Sequence, residues 1–130
     1  MKTKNLEQIV EFSCAPKDVY EALMDSKKHA QFTESKTKIG SKIGEKISAY
    51  DGWIEGFNLE LEKDKLIVQA WRGADWAKAH YSIATFALSK TAKGTKLEFS
   101  QIGVPEDTFA EISQGWHEHY WNKMKEMLEK

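Results

Sequence analysis

The stretch Pro105 to Leu128, "PEDTFAEISQGWHEHYWNKMKEML", constrains this chain more than any other. It opens on a proline and two carboxylates, Glu106 and Asp107, and carries Lys123 and Lys125 toward its end. Proline costs nothing at a helix start, where its missing N–H has no partner, and this order of charge complements the helix dipole. The spacing predicts one helix of about 24 residues, roughly 36 Å long. With Ile112 set at zero and about 100° per residue, Trp116 falls at about 40°, Phe109 and Met127 at about 60°, and Tyr120 at about 80°. Met124 follows at about 120°, His117 at about 140°, Leu128 at about 160° and Trp121 at about 180°. An apolar arc of about 180° exceeds the ~100° stripe of a surface helix. Such a helix has to be wrapped over half its circumference, and a curved sheet does that.

The rest of the chain supplies the sheet. Leu6 to Cys14 reads as a strand. Ala15 to Asp25 reads as a short helix with Pro16 at its first position and Val19, Ala22 and Leu23 on one face. A second short helix is expected over Lys28 to Phe32. From Lys36 to Val104 the chain reads as strands broken by turn signals at Gly40, Gly44, Asp51-Gly52, Lys63-Asp64, Arg72-Gly73 and Lys93-Gly94. One hairpin has a readable register. If Lys90 opposes Thr95, then Leu88 faces Leu97 and Phe86 faces Phe99 on one sheet face. Farther along, Ala84 meets Gln101 and Ser82 meets Gly103, so that face turns from bulky to small and polar. The other face pairs Ser89 with Lys96, Ala87 with Glu98, Thr85 with Ser100, and Ile83 with Ile102.

Composition excludes several classes. A chain of 130 residues suits one domain, 1–130. Lys and Arg number 19 against 20 Asp and Glu, so no basic excess marks a nucleic-acid binder. Cys14 is the single cysteine, which excludes an intrachain disulfide and a cysteine-based metal cluster. No run of ~18 apolar residues would span a membrane. No apolar segment follows the first residues, so a cytoplasmic protein without a signal peptide is expected. Neither a Gly-x-Ser-x-Gly elbow nor a Gly-rich phosphate loop occurs, and no cofactor is called for.

The segment Gly115 to Trp121, "GWHEHYW", looks at first like a metal site. On a regular helix His117 and His119 diverge by about 200°, so they cannot grip one ion, and a zincin needs its histidines four apart. No metal and no catalytic residue is expected. The segment reads instead as the aromatic face of the helix, with Trp116 and Tyr120 on the wall of any space left between helix and sheet.

Three stretches carry a family resemblance: "APKDVYEALMD", "KLIVQAWRGADWAKAHYSIATFAL" and "GVPEDTFAEISQGWHEHYWNKMKEML". Trp71-Arg72 closing an apolar run, Trp76 shortly after, a strand from His80, Gly103-Val104-Pro105 before the last helix and Gly115-Trp116 within it all match one pattern. The chain resembles the family of homologues of the activator of the heat-shock protein 90 ATPase, within the START-like superfamily of polyketide cyclases and lipid-transfer domains. The resemblance implies an α+β helix-grip fold. In it a curved antiparallel sheet wraps a long C-terminal helix, two short helices follow the first strand, and an elongated apolar cavity lies between sheet and helix. It does not fix one activity. The leading expectation is a non-enzymatic module that binds a small apolar or amphipathic molecule. Trp116 and Tyr120 would line the site, with Gln101 as the orienting polar group beside Ser82, and Trp71 and Trp53 as further contacts. The alternative is a domain that contacts a heat-shock protein 90 type chaperone through the outer sheet face around Tyr81, Ile83 and Ile102, or through the loop Arg72 to Lys78. A third reading, an enzyme using the same cavity, would depend on His117, the one titratable residue near the apolar arc.

Overall fold

Period-two patterning builds six strands between Lys38 and Pro105, and the N-terminal segment adds a seventh. The computed structural model describes residues 1–129. Its elements run β1 (Thr3–Phe12), α1 (Pro16–Met24), α2 (Ser26–Thr33), β2 (Lys38–Ile39), β3 (Lys46–Ala49), β4 (Ile54–Glu62), β5 (Leu66–Gly73), β6 (Ser82–Thr91) and β7 (Gly94–Pro105). The strands form one antiparallel sheet in the order β1-β7-β6-β5-β4-β3-β2. The sheet curves around the C-terminal helical segment.

The two short helices form where expected. Pro16 starts α1, and Val19, Ala22, Leu23 and Met24 are buried beneath it. Asp25 ends α1 and caps α2, its carboxylate accepting the Lys28 N–H at 3.0 Å. The β6–β7 register pairs Lys90 with Thr95, Leu88 with Leu97, Phe86 with Phe99, Ala84 with Gln101 and Ile83 with Ile102. The ladder stops there. Gly103 takes a positive φ of 88° and its N–H bonds to the Asn5 side chain, so the expected Ser82–Gly103 pair does not form. Ser82 pairs across β5 with Trp71 instead. At Gly56 on β4 a side chain is excluded outright, because a β-carbon would lie 1.9 Å from the Ala70 carbonyl oxygen.

The last element departs from the regular helix expected from Pro105. Pro105 still pairs with Thr3 at the end of β7. A 3-10 turn over Glu106–Thr108 leads into α3 (Phe109–Gly115), a π-helical turn over Trp116–Trp121, and α4 (Asn122–Leu128). In the π turn the Asn122 N–H bonds to the His117 carbonyl, five residues back. Residues five apart on a regular helix point about 140° apart. The wider turn brings them into line, so the rings of Trp116 and Trp121 stack at 5.3 Å with an interplanar angle of 19°. Trp121 becomes buried, while His117, placed inside the apolar arc by a uniform pitch, is exposed. Burying a ring of this size stabilises by roughly 3 kcal/mol. That offsets the poorer hydrogen-bond geometry of one wide turn.

The interior between sheet and helix is filled. Phe99 lies 5.0 Å from Phe86 and 4.4 Å from Trp116 between ring centroids. The enclosed space left among Leu23, His29, Phe86 and Tyr120 is about 10 Å³. That is about the least space that holds one water. No helix among the described residues is long and apolar enough to cross a membrane.

Candidate functional site

Beside the filled core, the end of the sheet and the π turn leave an open groove of about 510 Å³. Two loops shape it. The first follows β5 and is held by Arg72. This buried guanidinium donates to the carbonyls of Trp76 at 2.9 Å, Ala77 at 3.4 Å and His80 at 3.3 Å, and pairs with Glu55. The bonds fold the loop back so that Trp76 packs on Trp71 at 5.4 Å. The second loop follows β3. Tyr50 and Asp51 both take left-handed backbone angles, with φ of 50° and 56°. Such angles are costly for a bulky residue like Tyr50. Two bonds compensate: the Tyr50 hydroxyl donates to the His119 carbonyl on the π turn at 2.7 Å, and the Asp51 carboxylate accepts the Lys36 N–H at 2.8 Å.

The groove walls are aromatic: Tyr50, Trp53, Trp71, Trp76, Trp116 and Tyr120. Asp75, Glu111 and Glu118 stand on its rim. Trp53 is 39% exposed, whereas Trp71 and Trp116 form a buried floor.

Of the residues expected from sequence, Trp116, Tyr120, Trp71 and Trp53 come together on this groove. Gln101 and Ser82 lie behind it, both with no exposed surface. The Trp116 indole N–H donates to Gln101 Oε1 at 2.8 Å. Gln101 Nε2 donates to the Ser82 hydroxyl at 2.9 Å, and that hydroxyl donates to the Trp71 carbonyl at 2.8 Å. The chain satisfies groups whose burial without partners would cost about 1–3 kcal/mol each. Gln101 therefore orients Trp116, and Ser82 orients Gln101. Trp121 is fixed the same way, its N–H donating to Gln8 Oε1 at 2.7 Å.

Tyr50, Trp76 and the rim carboxylates were not read as site residues. Trp76 was visible as a family marker, but its place on the groove depends on Arg72, which bonds the loop from the outer face. Arg72 is thus a scaffold within the loop considered as a chaperone contact. On the outer sheet face, Tyr81, Ile83 and Ile102 are exposed. His119 stands on the groove rim with its ring against Tyr50, and His117 lies outside the groove. Among the described residues no three His, Cys, Asp or Glu side chains gather as metal ligands would.

The buried imidazole is His29, which the sequence did not single out. Its Nδ1 lies 3.0 Å from the Leu23 carbonyl and its Nε2 2.8 Å from the Tyr120 hydroxyl. A carbonyl only accepts, so Nδ1 carries the proton and Nε2 accepts the Tyr120 O–H. The neutral ring has both nitrogens engaged. It stacks on Phe32 at 4.9 Å and fixes Tyr120 against the groove.

Comparison with known proteins agrees with this architecture. The family model described as "Activator of Hsp90 ATPase homolog 1-like protein" matches residues 13–129. The chain belongs to this family. It is 35% identical over 95% of its length to an activator of 90 kDa heat shock protein ATPase homolog from Dictyostelium discoideum, covering 32% of that protein. It is 24% identical over 88% of its length to the human activator of 90 kDa heat shock protein ATPase homolog 1, covering 34% of it. The chain thus spans about a third of the length of these curated relatives. A crystal structure described as an HSP90 activator from Plasmodium falciparum superposes with a TM-score of 0.89 at 23% identity, covering 95% of each chain, and shares the fold.

The buried imidazole makes stability depend on pH. Desolvation holds His29 down at about 4, against its ordinary 6.5, and outweighs the opposing bond to the Leu23 carbonyl. Well above pH 6.5, from about pH 7.5, the ring is neutral in both folded and unfolded chains and contributes almost no slope. As pH falls from ~6.5 toward ~4, the unfolded chain takes up a proton that the folded one refuses, so stability drops. The expected loss from this group is about 2 kcal/mol between pH 7 and pH 5. Urea unfolding at the two pH values measures it, and His29→Leu should lack this component.

Proposed function

Taking membership of that family as the premise, we propose that this chain is a binding module for a small apolar or amphipathic molecule, which it holds in the aromatic groove without transforming it. One observation carries the reading: the open groove of about 510 Å³, floored by buried Trp71 and Trp116 and walled by half-exposed Trp53. Its volume lies in the range of sites for drug-sized ligands, and its make-up is the usual one of apolar walls with a few polar groups at the edge. A large aromatic such as Trp53, left open to solvent beside a well-packed core, costs hydration that a ligand would relieve. The π turn supports the reading, since wide turns of this kind recur at functional sites in helices. His29 has no free nitrogen with which to act as an acid or base on a bound molecule.

A neutral amphiphile, titrated below its micelle threshold and followed by tryptophan emission, tests this. Binding is expected in the micromolar class, about 8 kcal/mol. Trp53→Ala should weaken it about tenfold while changing stability by no more than about 1 kcal/mol. Wild-type emission that ignores a broad panel of neutral and charged amphiphiles would contradict the reading.

The relatives' descriptions favour a second reading, contact with a heat-shock protein 90 type chaperone. Tyr81, Ile83 and Ile102 on the outer sheet face would form that surface. Purified chaperone should then be retained by the immobilised chain and its ATPase rate should change. Ile102→Glu should remove both effects, and no retention with an unaltered ATPase rate would sink this reading.

A further inference from the structure

We propose that the groove selects amphipathic organic cations: a cationic head held at the carboxylate rim, with the apolar body against the tryptophans. This rests on the binding-module reading and adds the charge of the ligand. Four of the chain's five tryptophans stand on this one groove, with Tyr50 and Tyr120. An aromatic face carries the negative side of its quadrupole, so clustered rings attract a cation, most strongly where water is excluded. The rim adds to that attraction. Asp75, Glu111 and Glu118 line it, and among the described residues no Lys or Arg does. None of the three carboxylates is in an ion pair among the described residues. The chain as a whole is almost balanced, at a formal net charge of −1. The negative bias is therefore local to the groove. Arg72, the chain's single arginine, is engaged by Glu55 and three carbonyls.

A second observation points to a bound molecule. Trp76 is only 6% exposed, and its indole N–H has no acceptor among the described residues. A buried donor without a partner is rare and calls for an explanation. The atom lies over Gly73, where a β-carbon would sit 2.9 Å from both Trp76 Nε1 and the ring of Trp53. Trp53, the most exposed tryptophan of the groove, thus stands beside the unpaired N–H. A ligand lying against Trp53 would bring an acceptor, such as an acyl oxygen between head and tail, to this donor. Gly73 leaves both rings room to approach, which any side chain there would block.

Decanoylcholine, N-decanoyltaurine and decanoylsucrose test the proposal, each below its micelle threshold at low salt. They share an acyl tail and a carbonyl oxygen and differ in head charge. Calorimetry should give decanoylcholine an affinity at least about tenfold above that of decanoyltaurine, a ratio that shrinks as salt is raised. The triple variant Asp75→Asn, Glu111→Gln, Glu118→Gln should reduce the ratio to about twofold or less, and each single substitution should give part of that loss. A control with the same change in net charge, Glu7→Gln, Glu11→Gln, Glu60→Gln, should keep the wild-type ratio. The proposal is overturned if the anion binds as well as the cation, or if the control lowers the ratio as far as the rim variant. If decanoylsucrose binds but head charge makes no difference, the charge selection fails and the binding module stands. If none of the three binds, both fall.

Discussion

The stack of Trp116 on Trp121 is the contact on which the rest of the structure depends. Two indoles five residues apart cannot meet on a helix of uniform pitch. The chain widens one turn so that both rings, with Tyr120, face the sheet. Everything beneath follows from that choice. Phe99 and Phe86 fill the space under Trp116, Gln8 and Gln101 accept the two indole N–H groups, and His29 reaches Tyr120 from the second short helix. The wide turn also leaves the His119 carbonyl where the Tyr50 hydroxyl reaches it, which ties the β3–β4 loop to the helix and closes one side of the groove.

Core and groove are thus built from the same rings. The inner face of the aromatic cluster is densely packed, and its indole N–H groups, on Trp116 and Trp121, are hydrogen-bonded. The outer face is left uncovered, and there the bonding is incomplete: Trp53 is half open, and the Trp76 N–H has no partner among the described residues. A fold of this family does not specify one activity. In this chain the functional reading rests on where the aromatic surface is left unfilled and on the carboxylates around the opening.

Much of the fold was legible because period-two patterning leaves few choices. In the β6–β7 hairpin two Phe and two Leu match only in one register, since a slip of one residue would break both pairs by putting the partners on opposite faces. The last helix was legible as an element but not in its pitch. A wheel of constant angle spreads Trp116 and Trp121 across about 140°. The great breadth of the apolar arc was itself the trace of the change in pitch. Trp116 and Tyr120 were legible as groove-facing rings because they share the inward arc of the helix, whereas the faces of Trp71 and Trp53, which also line the groove, were ambiguous in the sequence. Gln101 was read correctly as an inward polar group. Its partner, expected to be a ligand, is the indole it faces. His29 stayed hidden because its burial depends on a hydroxyl 91 residues away, a contact that no local pattern records. Trp76 and Asp75 stayed hidden because loop geometry set by Arg72 decides where they stand.

The most direct measurement follows the five tryptophan indole N–H signals by heteronuclear magnetic resonance while an amphiphile is added. Trp53, Trp71, Trp76 and Trp116 stand on the groove, and Trp121 is sealed behind Trp116 with its N–H on Gln8. The account predicts saturable shifts that are largest for Trp53 and Trp76, with the Trp121 signal moving least. Five signals that stay fixed, or a Trp121 signal that moves as far as that of Trp53, would contradict it.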